Sequence, residues 1–102
     1  MTSSKIDQLR DTIRQALASG VKTETENIPE TLQDREKITD ALRQIEKENY
    51  REKIILAGFA DHPVDGNRCA DCMYYVVNGR WCALPEISLP AEPDWWCRLW
   101  RI

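Results

Sequence analysis

A chain of 102 residues, 42% hydrophobic and 30% charged, is one small domain or a helical segment joined to a very small one, and has no room for a multidomain enzyme. Its net charge of −3 divides as −2 over residues 1–61 (ten basic, twelve acidic) and −1 over residues 62–102 (four basic, five acidic). Neither part carries a basic field and lysine stops at Lys53, which argues against nucleic-acid binding; the longest apolar run, Ile54 to Ala60, is seven residues and cannot span a bilayer.

Charged residues at Lys5, Asp7, Arg10, Asp11 and Arg14 stand where a secretory signal needs an unbroken apolar stretch, so a cytoplasmic chain with reduced thiols is expected. The same region reads as an amphipathic helix over about 4–19. Ile6, Leu9, Ile13, Ala16 and Leu17 return on one face, Ser4 with Asp7 is a capping pair, and Gly20 is a stop. Either that stripe packs on the next helix, or Ile6, Leu9, Ile13 and Leu17 dock a partner subunit.

Residues 21–30 read as a polar linker ending at Pro29, which suits the first turn of a following helix. The spacing of Leu32, Ile38, Ala41, Leu42, Ile45, Ile55, Leu56 and Phe59 predicts a single helix over about 29–57. Between Glu46 and Lys53 only Tyr50 is not strongly polar, so the middle of that helix is expected to be solvated. Two helices bury only one stripe against another, so something else must cover them.

The turn-rich run Asp61 to Asn67 divides the chain into a helical segment (1–60), a linker (61–67) and a four-cysteine module (68–102). His62, the only histidine, stands beside Pro63 in this turn and reads as an exposed loop residue. The clearest strand signal follows: Met73 to Val77, then Asn78-Gly79, then Arg80 to Leu84. Asn-Gly between such runs predicts a two-residue type I′ hairpin, in a register that sets Val77 opposite Arg80 and Tyr75 opposite Cys82. Pro85, Pro90 and Pro93 are expected to prevent regular structure from Pro85 to Asp94. The expected fold class is therefore small α+β, two helices followed by a metal-stabilised, loop-rich module with one hairpin.

Four cysteines, Cys69, Cys72, Cys82 and Cys97, all fall within this module. Residues 68–102 are fewer than the roughly 40 below which an unaided core fails, so a cross-link is needed. Reduced thiols point to ligands, with two disulfides as the alternative should export occur by a route the sequence does not show, and four thiolates suit either one Zn2+ or a 4Fe–4S cluster. A zinc ribbon offers two close pairs, whereas Cys82 and Cys97 are each solitary, a spacing that favours a cage. Tyr74, Tyr75, Trp81, Trp96 and Trp100 are candidates to shield such a centre from water, a role compatible with forming an aromatic core.

The stretches Cys69-Ala70-Asp71-Cys72-Met73-Tyr74, Cys82-Ala83-Leu84-Pro85 and Trp96-Cys97-Arg98-Leu99-Trp100 resemble the cysteine framework of high-potential iron–sulfur proteins, over roughly the last third of the chain. The resemblance implies one 4Fe–4S cluster held by Cys69, Cys72, Cys82 and Cys97. Members of that family are typically exported carriers with a longer second intercysteine loop. An acidic, helix-extended chain without a signal is more similar to the small accessory subunits of glycyl radical enzymes, such as the arylalkylsuccinate synthases and hydroxyphenylacetate decarboxylase. That setting implies a larger catalytic subunit as partner, with no nucleic acid and no membrane involved.

The expected function is thus a non-catalytic iron–sulfur accessory subunit. The alternative is a structural zinc module for protein–protein contacts in a bacterial or phage mobile-element protein. An independent enzyme has little support, because there is no glycine-rich phosphate loop and no nucleophile elbow, and no residue is assigned a catalytic role.

Overall fold

A computed structural model of the chain describes residues 2–26, 28–46 and 48–101. The fold class is small α+β, and among the described residues there are three α-helices, α1 (Thr2–Ala18), α2 (Leu32–Arg43) and α3 (Tyr50–Ala57). One antiparallel sheet follows, of β1 (Tyr75–Val76), β2 (Trp81–Cys82) and β3 (Leu89–Pro90), in the order β1-β2-β3.

The amphipathic stripe does form α1, which begins at Thr2, so that Ser4 lies within the helix rather than capping it. Its apolar face is spent inside the chain: Ile13 is 0% exposed in the core, with Leu9 and Leu17 packed against that core and Ile6 half-buried. Gly20 ends the helix at φ 96°, where its N–H donates to the Leu17 carbonyl (3.3 Å) and the Val21 N–H to that of Ala16 (3.3 Å). Residues 21–26 then run against α3 rather than hanging free. Glu24 N–H donates to the Ile55 carbonyl (3.0 Å) and the Thr23 hydroxyl to the Phe59 carbonyl (2.6 Å).

The single helix expected over 29–57 is two helices. Thr31 caps α2 by accepting from the Asp34 N–H (3.1 Å), which leaves Pro29 outside it. After Arg43 the bonds tighten to i→i+3, Gln44 to Ala41 and Ile45 to Leu42 (3.1 Å each), and Asn49 starts α3 by accepting from the Glu52 N–H (3.3 Å). A straight helix of that length would reach about 43 Å at 1.5 Å per residue. The whole molecule is 39 Å along its longest axis. Folding back puts both Leu42 and Ile54 into one core, and burial outweighs the few hydrogen bonds lost at the break.

Gly58 stops α3 in the left-handed conformation (φ 70°), with Gly58 N–H donating to Ile55 and Phe59 N–H to Ile54. A Cβ at this position would sit 2.3 Å from the Glu24 carbonyl oxygen, so both the conformation and the close approach require glycine. A two-residue turn with both central residues at positive φ does occur, but at Asp65-Gly66 (φ 53° and 79°), where Val64 and Asn67 exchange backbone bonds of 3.0 and 2.9 Å.

The predicted hairpin is present in the predicted register, Tyr75 opposite Cys82 and Val76 opposite Trp81. Its turn is not type I′. Four residues, 77–80, connect the strands, and Arg80 rather than Asn78 or Gly79 takes positive φ (48°). The cause is tertiary: Arg10 on α1 donates to the Gly79 and Arg80 carbonyls (3.1 and 3.3 Å), and the Ala91 N–H donates to Arg80 (2.9 Å). The proline-rich return also holds regular structure that was not expected. Leu89–Pro90 pairs with β2, and Pro90 is tolerated because β3 is an edge strand.

One apolar core crosses the 61–67 boundary, joining Ile13, Leu42, Ile54 and Phe59 of the helical part to Cys69, Cys82, Leu89, Trp95 and Cys97 of the cysteine part.

Candidate metal centre

Each cysteine is positioned by a different local device. Cys69 opens a short 3₁₀ turn (Cys69–Asp71); its carbonyl accepts from the Cys72 N–H (2.9 Å), and the Cys72 carbonyl accepts from the Tyr75 N–H (3.1 Å). Cys82 lies in β2 between β1 and β3. Cys97 arrives on a segment fastened to the end of α3: Ala60 and Trp96 exchange backbone bonds of 2.7 and 3.0 Å, and the Arg98 N–H donates to Ala57 (3.0 Å). Arg98, itself buried, reinforces this by donating from Nε and Nη2 to the Leu56 carbonyl (2.9 and 2.6 Å) and from Nη2 to Glu24 (3.2 Å). The arm carrying Cys97 is tied to the first turn by the Cys69 N–H, which donates to the Trp95 carbonyl (2.6 Å).

All four cysteines are free thiols. Cys69, Cys82 and Cys97 are buried and Cys72 is half-buried. Burial pushes the first three thiols up: Cys69 further through Cys82 and Cys72, Cys97 further through Cys82, Cys69 and Cys72, and Cys82 through Cys72. Cys69, Cys82 and Cys97 lie in one buried core, and Cys72 closes the turn that Cys69 opens. Among the described residues, however, no three His, Cys, Asp or Glu side chains meet closely enough to hold a single metal ion.

Two sulfurs already accept backbone hydrogen bonds from the residue two positions on. The Leu84 N–H donates to Cys82 and the Leu99 N–H to Cys97, and both bonds favour the thiolate against the burial that opposes it. N–H bonds aimed at sulfur are a lever on the properties of thiolate-bound centres. As a donor set the buried thiols would fit a cation by giving up their protons to it, since buried thiolates need a compensating positive centre.

The aromatic residues of this part of the chain are unequally buried. Tyr75 stands opposite Cys82 and feels the Cys69 thiol; its phenol is pushed up to about 12, by burial first, then by Cys69 and Glu92 against Arg10 and Arg80. Its hydroxyl donates to the Ala91 carbonyl (2.9 Å). Tyr74 is half-buried under Arg35, whose guanidinium lies 5.6 Å from the ring centroid. Trp81 and Trp100 are half-buried, with Trp100 Nε1 donating to the Arg68 carbonyl (2.7 Å), and Trp96 is buried. Trp95, which sequence reasoning left out of the shielding set, is buried in the core with three of the cysteines and meets Phe59 edge to face (6.4 Å, 72°).

His62 is exposed, its Nδ1 2.9 Å from the Pro63 carbonyl. It borders a cleft of about 650 Å³ between residues 21–26 and the end of α3, and none of the four cysteines lines that cleft.

The raised thiols make a sign-definite prediction for the metal-free chain. Unfolded thiols titrate near the ordinary value of 9, while folded Cys82 titrates at about 11. Between these values the unfolded state binds fewer protons, so stability is full below about pH 9 and falls as pH rises towards 11. Urea midpoints at pH 7 and pH 10 check this; a midpoint that does not drop at pH 10 contradicts it. No helix of the described chain is long and apolar enough to cross a membrane. No protein-family model matches the chain, and no curated protein and no solved structure matches it either.

Proposed function

We propose that Cys69, Cys72, Cys82 and Cys97 bind one 4Fe–4S cluster, and that the chain serves as a non-catalytic accessory subunit of a larger enzyme. The observation that carries the reading is that Cys69, Cys82 and Cys97 are buried in one core, with Cys72 closing the turn that Cys69 opens. A cubane takes one thiolate at each of four corners, and a sequence in which Cys82 and Cys97 are each solitary suits that better than it suits the paired cysteines of a zinc ribbon. Burial of three sulfurs and the N–H bonds to two of them supply the shielding and polarity that a cluster needs.

The cluster would supply redox or structural chemistry when bound. The chain's own residues hold the sulfurs apart, exclude water with Trp95, Trp96 and Tyr75, and fix Cys97 to α3 through Arg98. The resemblance to accessory subunits of glycyl radical enzymes supports a cytoplasmic setting and a catalytic partner. Docking through the stripe of α1 is not part of this reading, since Ile13 is enclosed in the chain's own core.

Anaerobic purification followed by iron, sulfide and zinc analysis and a visible absorption spectrum tests the proposal. A brown protein with equal iron and sulfide is expected. A colourless protein carrying one zinc per chain would retain the four-thiolate centre and overturn the cluster.

A further inference from the structure

Arg10 lies on the polar side of the α1 pattern by sequence, yet it is only 3% exposed. Its guanidinium reaches partners 69 and 70 residues away, donating from Nη2 to the Gly79 and Arg80 carbonyls (3.1 and 3.3 Å) in the β1–β2 turn. Nη1 donates to Asp7 (2.7 Å), and Nε faces Glu92 at 3.4 Å, where it pairs in charge without a hydrogen bond of its own. Glu92 also pairs with Arg14 and Arg80 (3.3 Å each).

These contacts join the two arms that present the cysteines. The turn that Arg10 grips ends two residues before Cys82. Glu92 begins the loop whose Pro93 and Trp95 carbonyls accept from the Ala70 and Cys69 N–H groups (3.0 and 2.6 Å) and which then delivers Cys97. The Ala91 N–H, bonded to the Arg80 carbonyl, ties the arms together beside the guanidinium. A planar fork can serve two carbonyls and two carboxylates at once, whereas a lysine ammonium has neither the reach nor the geometry.

We infer that Arg10 is a positioning residue for the thiolate centre, holding the 77–80 turn and the 91–95 loop in the relation that brings Cys82 to Cys69 and Cys97. The inference rests on the metal-centre reading above. It assigns α1 to the inside of the site rather than to a partner.

The test is alkylation of the full chain, loaded anaerobically with iron and sulfide, by iodoacetamide, with the rate at each cysteine followed by peptide mass mapping. In R10K, Cys82 is expected to react about ten-fold faster than in the unsubstituted chain, ahead of Cys69 and Cys97, with helix content unchanged. Glu92→Gln, which leaves the two carbonyl bonds intact, should shift Cys82 in the same direction by less. Leu42→Ala destabilises the shared core elsewhere and should speed all the thiols together. Acceleration of all four thiols alike in R10K, or of none, overturns the positioning role while leaving the centre standing. An unsubstituted chain that takes up no metal overturns the centre, and the positioning role with it.

Discussion

Replacing Cys97 by Ser is expected to empty the centre and unfold the chain as one unit. A serine hydroxyl is a poor ligand for iron or zinc at neutral pH, so the proposed centre would lose one of its four corners. Metal binding contributes about 10 kcal/mol or more to small thiolate-bound folds, which is comparable to the whole stability of a domain this size, about 5–15 kcal/mol. Because one core joins Ile13, Leu42 and Ile54 to Cys69, Cys82 and Cys97, the helices have no separate core to fall back on. Far-ultraviolet and aromatic circular dichroism should therefore collapse together. The half-buried Cys72 should give the mildest of the four serine variants. A C97S protein with unaltered metal content and an unaltered melting curve would contradict the expectation.

Phe59→Ala is the second change with a large expected effect. The ring is 1% exposed, meets Trp95 edge to face, and follows the glycine that ends α3, so it links helix, extended segment and cysteine arm. Truncating a buried phenylalanine costs about 3–5 kcal/mol through lost burial and the cavity left behind. In the metal-free chain that loss should leave much of the population unfolded at 25 °C. The loaded chain should remain folded, because a ligand bound only by the native state adds to its stability. Urea titrations of both forms measure this, and a cost below about 1 kcal/mol in the metal-free form would contradict the central place given to this ring.

The parts of the fold legible in sequence were those set by local pattern. The period of Leu9, Ile13 and Leu17 marked α1, and the alternation around Asn78-Gly79 placed Tyr75 opposite Cys82. What local pattern missed was decided by distant groups. The polar run from Glu46 to Asn49 suits a solvated helix as well as a break, and the break is chosen by a core that needs Leu42 and Ile54 from two directions. The hairpin turn takes its shape from Arg10, and nothing near residue 10 in sequence announces that.

Prolines concealed β3, since only an edge position permits Pro90 to pair, and edge positions are a property of the assembled sheet. At the site, the sequence grouped the four cysteines by spacing and aromatic neighbours, which are local, and three of them lie in one core. Their order of burial was not legible, nor was the burial of Trp95 alongside Trp96. Those depend on how the Cys97 arm is bound to α3 by Ala60, Trp96 and Arg98.

The most direct test of the central claim is native mass spectrometry of the anaerobically isolated chain, with alkylatable thiols counted before and after the adduct is removed. The account predicts one adduct of four irons and four sulfides per chain, with all four cysteines protected until it is stripped. A bare chain whose four thiols react as soon as it unfolds, with no metal released, would show them to be ordinary buried cysteines and contradict the account.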